Sequence, residues 1–479
     1  MKLRQWQAEC VGRALDKFVL NQRHFFCLAT PGAGKTIMAA QLVKQMFMQN
    51  QIDYVLCFSP SIVIANEIHR TMEKRIGQRF DGMIGALGAS FTYQTMQYLS
   101  GELWHLLKTS RVLVIFDEIH HCAGSSLVNA NAWGEKIITN IRDHAAYTLT
   151  LSGTPWRSDN APIALAKYHD TDNRIVCDYA YGLSRAIQDK VCRIPHIVIT
   201  DNDDITLRGH EGQVEKFDSF SNLLAETQCP YQRIVENEAV IRHILVQASR
   251  KLTEIRHVNP KAGGLVVAST VSHAVRIVTM IEQELGESSV IATYRENEPA
   301  SIIDEFKASN TRWIVSVGMI SEGTNLPRLQ VCCHLTRIKT ELHFRQILGR
   351  ILRVTQCKNQ EAFLFMPAEA TLIEYAYRVA DDIPEEKAIV HIEKSEEGVA
   401  IDDSDESNVE APASSEQKSL EQKLSDHSIE LGGAEIVTSS ETAPPQGKPS
   451  ILTQTYEATL NVFGRFKQEV LAISISPFD

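Results

Sequence analysis

The chain has little that marks a membrane-spanning or disulfide-stabilised protein. No apolar run approaches the roughly 20 residues that a membrane-spanning helix needs. The N-terminus lacks an apolar core followed by a small-residue cleavage site, and none of the ten cysteines lies in a CxxC pair. We therefore expect a cytoplasmic protein with reduced cysteines, without a membrane partner, a zinc site or a disulfide framework.

Basic residues are also in the minority, with 48 Lys and Arg against 59 Asp and Glu. The acidic excess is concentrated in residues 381–479, which contribute −14 to the net charge of −11. Residues 1–380 therefore carry +3, a balance that does not oppose the binding of phosphate groups. Because one domain usually has about 100–200 residues, a chain of 479 residues should contain two or three.

Short apolar runs alternate with helical patterns in two separate blocks of the chain. Near-continuous apolar runs are typical of parallel strands that helices cover on both faces, so the alternation predicts the α/β class. In the first block the predicted strands are His24–Ala29, Tyr54–Phe58, Arg111–Phe116 and Tyr147–Leu151. In the second block they are Gly264–Ala268, Ser289–Thr293, Trp313–Val317, Gln330–Leu335 and Ala362–Met366.

Composition and pattern divide the chain into five segments. The first three are an α/β domain at residues 1–190, a connecting insert at 191–235 and a second α/β domain at 236–380. Residues 381–450 are acidic and contain too little apolar surface to offset the entropy of folding, so we expect disorder there. In residues 451–479, apolar side chains at helical spacing predict one amphipathic helix over 455–472. This helix could dock within the protein or bind a partner protein.

A glycine-rich loop follows the first strand and opens a helix, which is the context that a phosphate-binding loop requires. Glycines let backbone amides approach a polyphosphate, and the helix N-terminus adds partial positive charge. We expect Lys35 to neutralise the β and γ phosphates of ATP and the Thr36 hydroxyl to ligate Mg²⁺. Ala29 replaces the usual first glycine of the pattern. The predicted nucleotide-binding residues of the loop are Thr30, Gly32, Gly34, Lys35 and Thr36.

Two adjacent acids, Asp117 and Glu118, follow the apolar strand that ends at Phe116. The carboxyl end of a parallel strand is where open α/β sheets bind ligands. Asp117 can hold Mg²⁺, and Glu118 can orient and deprotonate an attacking water. Acids in a loop are usually solvated, but these two follow a wholly apolar strand, so burial near a cation explains them better.

Six elements in a fixed order resemble the superfamily 2 helicases of the broad DEAD/DEAH type. Two of them are the phosphate-binding loop and Asp117-Glu118-Ile119-His120. Leu3-Arg4-Gln5-Trp6-Gln7 is similar to the element that reads adenine, and Ser152-Gly153-Thr154-Pro155 is similar to motif III. Residues 317–327 resemble motif V, and residues 346–353 match the QxxGRxxR pattern of motif VI. The resemblance implies two tandem RecA-like domains that share one ATP site.

The resemblance also assigns roles to single residues. Arg350 and Arg353 would act as arginine fingers, which reach across the cleft and stabilise charge on the γ phosphate. The family usually has Asp at the position of Asn325, and because Asn can keep a hydrogen bond but not a charge, we expect altered turnover. The implied residues are Arg4 and Gln7 at the adenine, Ser152 and Thr154 in coupling, Gly323 and Asn325 at the nucleotide, and Gln346, Arg350 and Arg353 in catalysis.

Two patterns, Glu-Gly-x-Asn-x-Pro at residues 322–327 and Gly-Thr-Pro-Trp-Arg at residues 153–157, give a finer resemblance. They are similar to those of the group around type III restriction helicase subunits and phage fork-remodelling helicases. This resemblance implies an ATP-dependent helicase or translocase with ATP and Mg²⁺ as cofactors and nucleic acid as partner, DNA more than RNA. Contacts to a nucleic-acid backbone are expected at Ser59, Pro60, Asn66, Thr92 and Gln94. The alternatives are an RNA helicase, or a nucleotide-switched interaction module that recruits a partner through its C-terminal segment.

Overall fold

The computed structural model describes residues 2–391 and 459–472, with short gaps. The gaps are residues 155–156, 158, 160, 170–174, 209–213, 297–298, 319–324, 356–358, 381–388 and 464. No helix within the described ranges is long and apolar enough to cross a lipid bilayer. The protein belongs to the α/β class, and each of its two α/β domains is built around a largely parallel sheet.

The first domain contains a parallel sheet that is buried on both faces. Its strands are β1 (His24–Ala29), β2 (Tyr54–Ser59), β3 (Gly88–Thr92), β4 (Val112–Asp117), β5 (Tyr147–Ser152), β6 (Lys167–Tyr168), β7 (Ile175–Cys177) and β8 (Tyr179–Tyr181). Its helices are α1 (Gln5–Val19), α2 (Lys35–Met48), α3 (Ile62–Ile76), α4 (Tyr93–Met96), α5 (Gly101–Thr109), α6 (Ala132–Lys136) and α7 (Leu183–Gln188). The parallel strands lie in the order β3-β2-β4-β5-β1-β8. Leu113 and Ile115 of β4 enter one core and Val114 and Phe116 enter another, so helices must cover both faces.

The second domain contains a longer sheet of the same kind. Its strands are β9 (Ile194–Asn202), β10 (Ile205–Arg208), β11 (Val214–Phe217), β12 (Gly263–Ala268), β13 (Ser289–Ala292), β14 (Trp313–Ser316), β15 (Leu329–Leu335), β16 (Glu361–Pro367), β18 (Thr459–Val462) and β19 (Phe466–Ala472), while β17 (Ile389–His391) pairs with β7 of the first domain. Its helices are α8 (Phe220–Glu226), α9 (Tyr231–Val235), α10 (Glu238–Val258), α11 (Val271–Gln283), α12 (Pro299–Ala308), α13 (Glu341–Ile351) and α14 (Ala370–Ala380). Seven of these strands form the main sheet in the order β13-β14-β12-β15-β16-β9-β19, where the described pairs are parallel except that of β19 with β9. Strands β11, β10 and β18 form a separate antiparallel sheet.

The predicted strands of both blocks are present, each with bounds within one residue of the prediction. The prediction of a connecting insert at 191–235 is wrong for its first part. Residues 194–202 form β9, which pairs in parallel with β16 inside the second sheet. Ile197, Val198 and Ile199 are buried, so this strand belongs to the core of the second domain.

The prediction of one amphipathic helix over residues 455–472 is also wrong. The described part of this segment forms two strands, of which β18 pairs with β10 and β19 pairs with β9. The segment therefore docks within the protein by backbone hydrogen bonding rather than through a helix face. Within the acidic segment at 381–450, Ile389–His391 forms strand β17 beside β7, while residues 381–388 and 392–450 lie outside the described residues.

Candidate active site

The loop between β1 and α2 has the backbone that the glycine pattern requires. Gly32 has a φ of 84° and Gly34 has a φ of 94°, a region that residues with a Cβ rarely adopt. Gly34 is the residue before α2, so the first turn of this 14-residue helix, with Lys35 and Thr36, begins directly at the loop. The helix N-terminus therefore faces the loop with free N–H groups, which suits a bound phosphate.

Lys35 and Glu118 form an ion pair beneath this loop. The Nζ atom of Lys35 lies 3.0 Å from Oε1 of Glu118 and donates a hydrogen bond to the carbonyl oxygen of Ala29 at 3.3 Å. The backbone N–H of Gly153 donates to Oε2 of Glu118 at 3.2 Å. Burial opposes ionisation of Glu118, but the charges of Lys35 and then His120 outweigh it and lower its pKa to about 2. Glu118 is therefore a carboxylate at neutral pH.

Asp117 has the opposite electrostatic environment. Burial, and then repulsion by the Glu118 carboxylate, raise the pKa of Asp117 to about 7, although Lys35 acts against this shift. Its side chain is 7% exposed, and its buried Oδ1 atom has no hydrogen-bond partner among the described residues. A buried carboxylate oxygen without a donor fits a divalent cation, which accepts carboxylate and hydroxyl oxygens as ligands. Asp117 and Thr36 are therefore the residues suited to Mg²⁺.

The backbone at Glu118 is strained in a way that is common in active sites. Its φ of 52° and ψ of 54° lie in the left-handed region, which costs free energy for a residue other than glycine. The Oη atom of Tyr93 donates to the carbonyl oxygen of Asp117 at 2.7 Å and holds the preceding peptide. Because of this left-handed turn, the side chains of the consecutive residues Asp117 and Glu118 both lie toward the phosphate-binding loop.

A histidine that the sequence analysis did not assign connects the acids to the motif III residues. His120 is 2% exposed, and its Nδ1 atom lies 3.1 Å from Oγ of Ser152, 3.3 Å from Oγ1 of Thr154 and 3.5 Å from Oε2 of Glu118. Ser152 also donates to the carbonyl oxygen of Thr154 at 2.6 Å. The Nδ1 atom of His120 therefore connects Glu118 to the predicted coupling residues Ser152 and Thr154. The adjacency of β4 and β5 creates this contact.

The predicted adenine-reading residues lie against the phosphate-binding loop. Nη1 of Arg4 donates to the carbonyl oxygen of Ala33 at 2.7 Å, and Nε2 of Gln7 donates to the carbonyl oxygen of Gly34 at 3.0 Å. Oε1 of Gln7 accepts the backbone N–H of Arg4 at 2.9 Å, which closes the first turn of α1. The two side chains thus join the start of α1 to the loop.

The second domain reaches the same loop through α13 and the residues after it. A Cβ atom built on Gly349 would lie 2.6 Å from Cβ of Pro31, and one built on Gly32 would lie 3.2 Å from Cγ of Arg353. Nη1 of Arg353 donates to Oδ1 of Asn325 at 2.5 Å. The structure thus brings Arg353 to the phosphate-binding loop and Asn325 to Arg353. Gln346 and Arg350 lie half-buried on α13, on either side of Gly349, and Gly323 lies outside the described residues.

The predicted nucleic-acid contacts divide into two groups. The side chains of Asn66 and Gln94 are exposed, and Pro60 is half-buried. Ser59 is fully buried, with its hydroxyl donating within the domain, and Thr92 is buried as the cap of α4. Because both side chains are buried, contacts of nucleic acid at Ser59 and Thr92 would involve their backbone, and the five predicted contacts stay predictions.

Family comparisons match both halves of this site. Residues 1–157 match the family model described as type III restriction enzyme, res subunit, and residues 246–355 match the helicase conserved C-terminal domain. The first match contains the phosphate-binding loop and both acids, and the second contains α13 and Arg353.

The chain is also similar to several individual proteins. The chain is 28% identical over 388 residues to the uncharacterized protein ML1624 of Mycobacterium leprae, covering 78% of this chain and 63% of that protein. It is 22% identical to the DNA 3'-5' translocase XPB2 of Sulfurisphaera tokodaii, covering 76% and 81%. A fragment named as an HsdR subunit of a type I restriction enzyme from Vibrio vulnificus YJ016 shares the fold, with a TM-score of 0.55 at 16% identity, covering 81% and 67%. The chain spans less than two thirds of the length of its mycobacterial relatives.

Proposed function

Because the chain is a superfamily 2 helicase related to the helicase subunit of type III restriction enzymes, we propose that it hydrolyses ATP between its two domains to move along or remodel DNA. The observation that carries this proposal is the contact of α13 with the phosphate-binding loop. Gly349 lies against Pro31, and Arg353 lies against Gly32. An arginine side chain from one domain therefore packs against the phosphate-binding loop of the other.

The residues of the first domain supply three functions in this reaction. Lys35 and the N-terminus of α2 bind the β and γ phosphates. Thr36 and Asp117 would hold Mg²⁺, which would offset the negative charge of the phosphates. Glu118 is ionised and lies beside the loop, so it can accept a proton from the attacking water. Arg4 and Gln7, at the other side of the loop, contact the adenine.

The second domain supplies the positive charge that responds to the γ phosphate. Arg353, with Arg350 on the preceding turn, stabilises charge on the phosphate oxygens in the transition state. A triphosphate then bridges the two domains, while a diphosphate does not. ATP and ADP thus favour different domain arrangements, and this difference can drive movement on a strand bound across both domains.

DNA is the favoured nucleic acid for two reasons. The type III restriction family model covers the whole nucleotide site of the first domain, and a relative that aligns over most of both chains is named a DNA translocase. Exposed polar residues such as Asn66 and Gln94 can contact the sugar-phosphate backbone, which carries no base code. Binding should therefore be independent of sequence and should weaken as the salt concentration rises.

The test is ATP hydrolysis by the full chain with single-stranded DNA, duplex DNA, forked DNA or RNA as the activator. We expect DNA to stimulate turnover, and Lys35→Ala to abolish that stimulation. If RNA alone stimulates turnover, the nucleic acid on which the protein acts is RNA rather than DNA. Absence of ATP hydrolysis with every nucleic acid would contradict it.

A further inference from the structure

The segment that joins the two domains passes directly along the active site. It leaves α7 with the backbone N–H of Val191 donating to the carbonyl oxygen of Ala186 at 2.7 Å. The next residue, Cys192, forms an antiparallel bridge with Arg353, and its thiol donates to the carbonyl oxygen of Pro31 at 3.7 Å. The joining segment therefore contacts the phosphate-binding loop and Arg353 at a single residue.

Arg193, the next residue, has a guanidinium that is 0% exposed. Its Nη1 atom donates to the carbonyl oxygens of Leu329 at 2.6 Å and Ile351 at 3.0 Å. Its Nη2 atom donates to the carbonyl oxygen of Pro327 at 3.0 Å and to Oγ1 of Thr355 at 3.3 Å. Burying a charge is costly unless it is hydrogen-bonded, and these four contacts join the two terminal nitrogens of the guanidinium to the surrounding segments.

The acceptors of Arg193 flank two residues of the active site. Pro327 follows Asn325 by two residues, and Ile351 and Thr355 lie two residues on either side of Arg353. Asn325 and Arg353 are themselves hydrogen-bonded to each other. The backbone N–H of Arg193 also donates to the carbonyl oxygen of Leu352 at 2.8 Å. The buried side chain of Arg193 thus fixes the two backbone segments that carry Asn325 and Arg353.

We propose that Arg193 is a positioning residue that holds Arg353 against the phosphate-binding loop, keeps Asn325 beside Arg353, and links the position of both residues to the joining segment. This inference rests on the proposed function, since it assigns Arg193 to the same hydrolysis. Arg193 acts through Arg353 and does not touch the nucleotide. When the joining segment moves, Arg193 moves the backbone around Arg353 with it, so domain movement and the finger position are coupled.

The test compares Arg193→Lys with Arg256→Lys in the full chain. Arg256 is a control because it is another guanidinium of the same domain that donates to backbone carbonyls, from Nη1 to Ala262 at 2.6 Å and from Nη2 to Asn310 at 3.3 Å. These acceptors lie in the segments before β12 and β14, outside the residues that Arg193 binds. Lysine presents one compact ammonium and cannot reach the acceptors of either fork, so both variants should lose stability.

Only Arg193→Lys should lose catalysis. Misplacement of a catalytic group by about 1 Å can lower the rate on the order of 10²-fold, so we expect its DNA-stimulated kcat to fall by about 10- to 100-fold. Its affinity for a fluorescent ATP analogue should stay within about 2-fold of wild type, because the phosphate-binding loop is unchanged. Arg256→Lys should keep both values near wild type while its Tm falls.

Equal kcat values in the two lysine variants would overturn the inference, as would a loss of nucleotide affinity in proportion to kcat in Arg193→Lys. If Arg193→Lys does not fold, Thr355→Val removes one acceptor of Arg193 and should lower kcat several-fold with nucleotide affinity retained. An unchanged kcat in that variant would also overturn it. A wild-type protein without nucleic-acid-stimulated hydrolysis would instead contradict the proposed function.

Discussion

The contact between Gly349 and Pro31 offers a direct test of whether α13 must touch the phosphate-binding loop. Gly349→Ala adds one methyl group to the helix that carries Gln346 and Arg350. That methyl would lie 2.6 Å from Cβ of Pro31 and 3.0 Å from its Cγ. Both partners are parts of rigid elements, a helix and a proline ring, so neither can move aside as a flexible side-chain end would.

The size of the expected effect follows from this overlap. Non-bonded carbon atoms rest at about 3.5–4.0 Å, so the two domains must separate by about 1 Å at this point. Such a displacement between catalytic groups can lower the rate about 10²-fold, which corresponds to roughly 2.7 kcal/mol of transition-state stabilisation. The nucleotide still binds to the first domain, so its affinity should change far less than kcat.

The assay measures DNA-stimulated kcat and the affinity for an ATP analogue in Gly349→Ala and in Gly12→Ala. Gly12 lies exposed in α1, and a Cβ atom there would meet no atom within 4 Å. Gly12→Ala should keep kcat and stabilise the helix by about 0.5–1 kcal/mol. A folded Gly349→Ala protein with the kcat of Gly12→Ala would refute the idea that hydrolysis requires α13 against the loop.

Four further outcomes follow from the site. Lys35→Ala should lose nucleotide binding and turnover, and near-normal binding in a filter assay would contradict its assignment to the phosphates. Glu118→Gln should bind ATP but lose about 10²–10⁴-fold in kcat, so ordinary turnover would show that another group is the base. Arg353→Ala should lower kcat about 10³-fold or more while sparing nucleotide affinity, and the reverse pattern would exclude an arginine finger. Because the pKa of Asp117 is raised to about 7, its carboxyl group is mainly protonated at pH 6.5. Binding of the Mg²⁺–nucleotide complex should therefore release a proton, and its affinity should increase toward pH 8. Calorimetry in two buffers would detect the released proton, and its absence would exclude Asp117 as the Mg²⁺ ligand.

Much of the nucleotide site is predictable because its residues end strands or begin helices that are legible in short windows. Gly32 and Gly34 adopt the positive φ values that their pattern indicates, and Asp117 ends β4 as expected. His120 could not be assigned in the same way. Its partner Ser152 lies 32 residues away and becomes a neighbour only because β5 pairs with β4. A sequence window does not contain that pairing.

The C-terminal segment shows how tertiary pairing overrides a local pattern. Phe463, Phe466 and Val470 recur at helical spacing, yet Phe466–Ala472 is a strand because β9 offers an unpaired edge. The ring of Phe466 stacks on His243 of α10 at 4.1 Å, while Val470 is 56% exposed, as an edge strand allows. Strand β9 lies far earlier in the chain, within residues 191–235 that were predicted to be a connecting insert. The two errors therefore have one cause, since each strand is recognisable mainly through the other.

The ion pair between Lys35 and Glu118 explains why binding and hydrolysis can be linked at this site. The proposed reaction requires Lys35 on a phosphate oxygen and Glu118 on a water, whereas the two side chains lie 3.0 Å apart and contact each other. A phosphate that recruits Lys35 therefore removes the cation that most strongly lowers the pKa of Glu118, so the pKa rises and the carboxylate becomes a better base. Glu118 would keep its hydrogen bond from Gly153 and its contact with His120, which connects it to Ser152 and Thr154. In the proposed reaction, the bound phosphate therefore activates Glu118 as the base. Glu118 is in turn connected through His120 to Ser152 and Thr154, the residues expected to respond to nucleic acid.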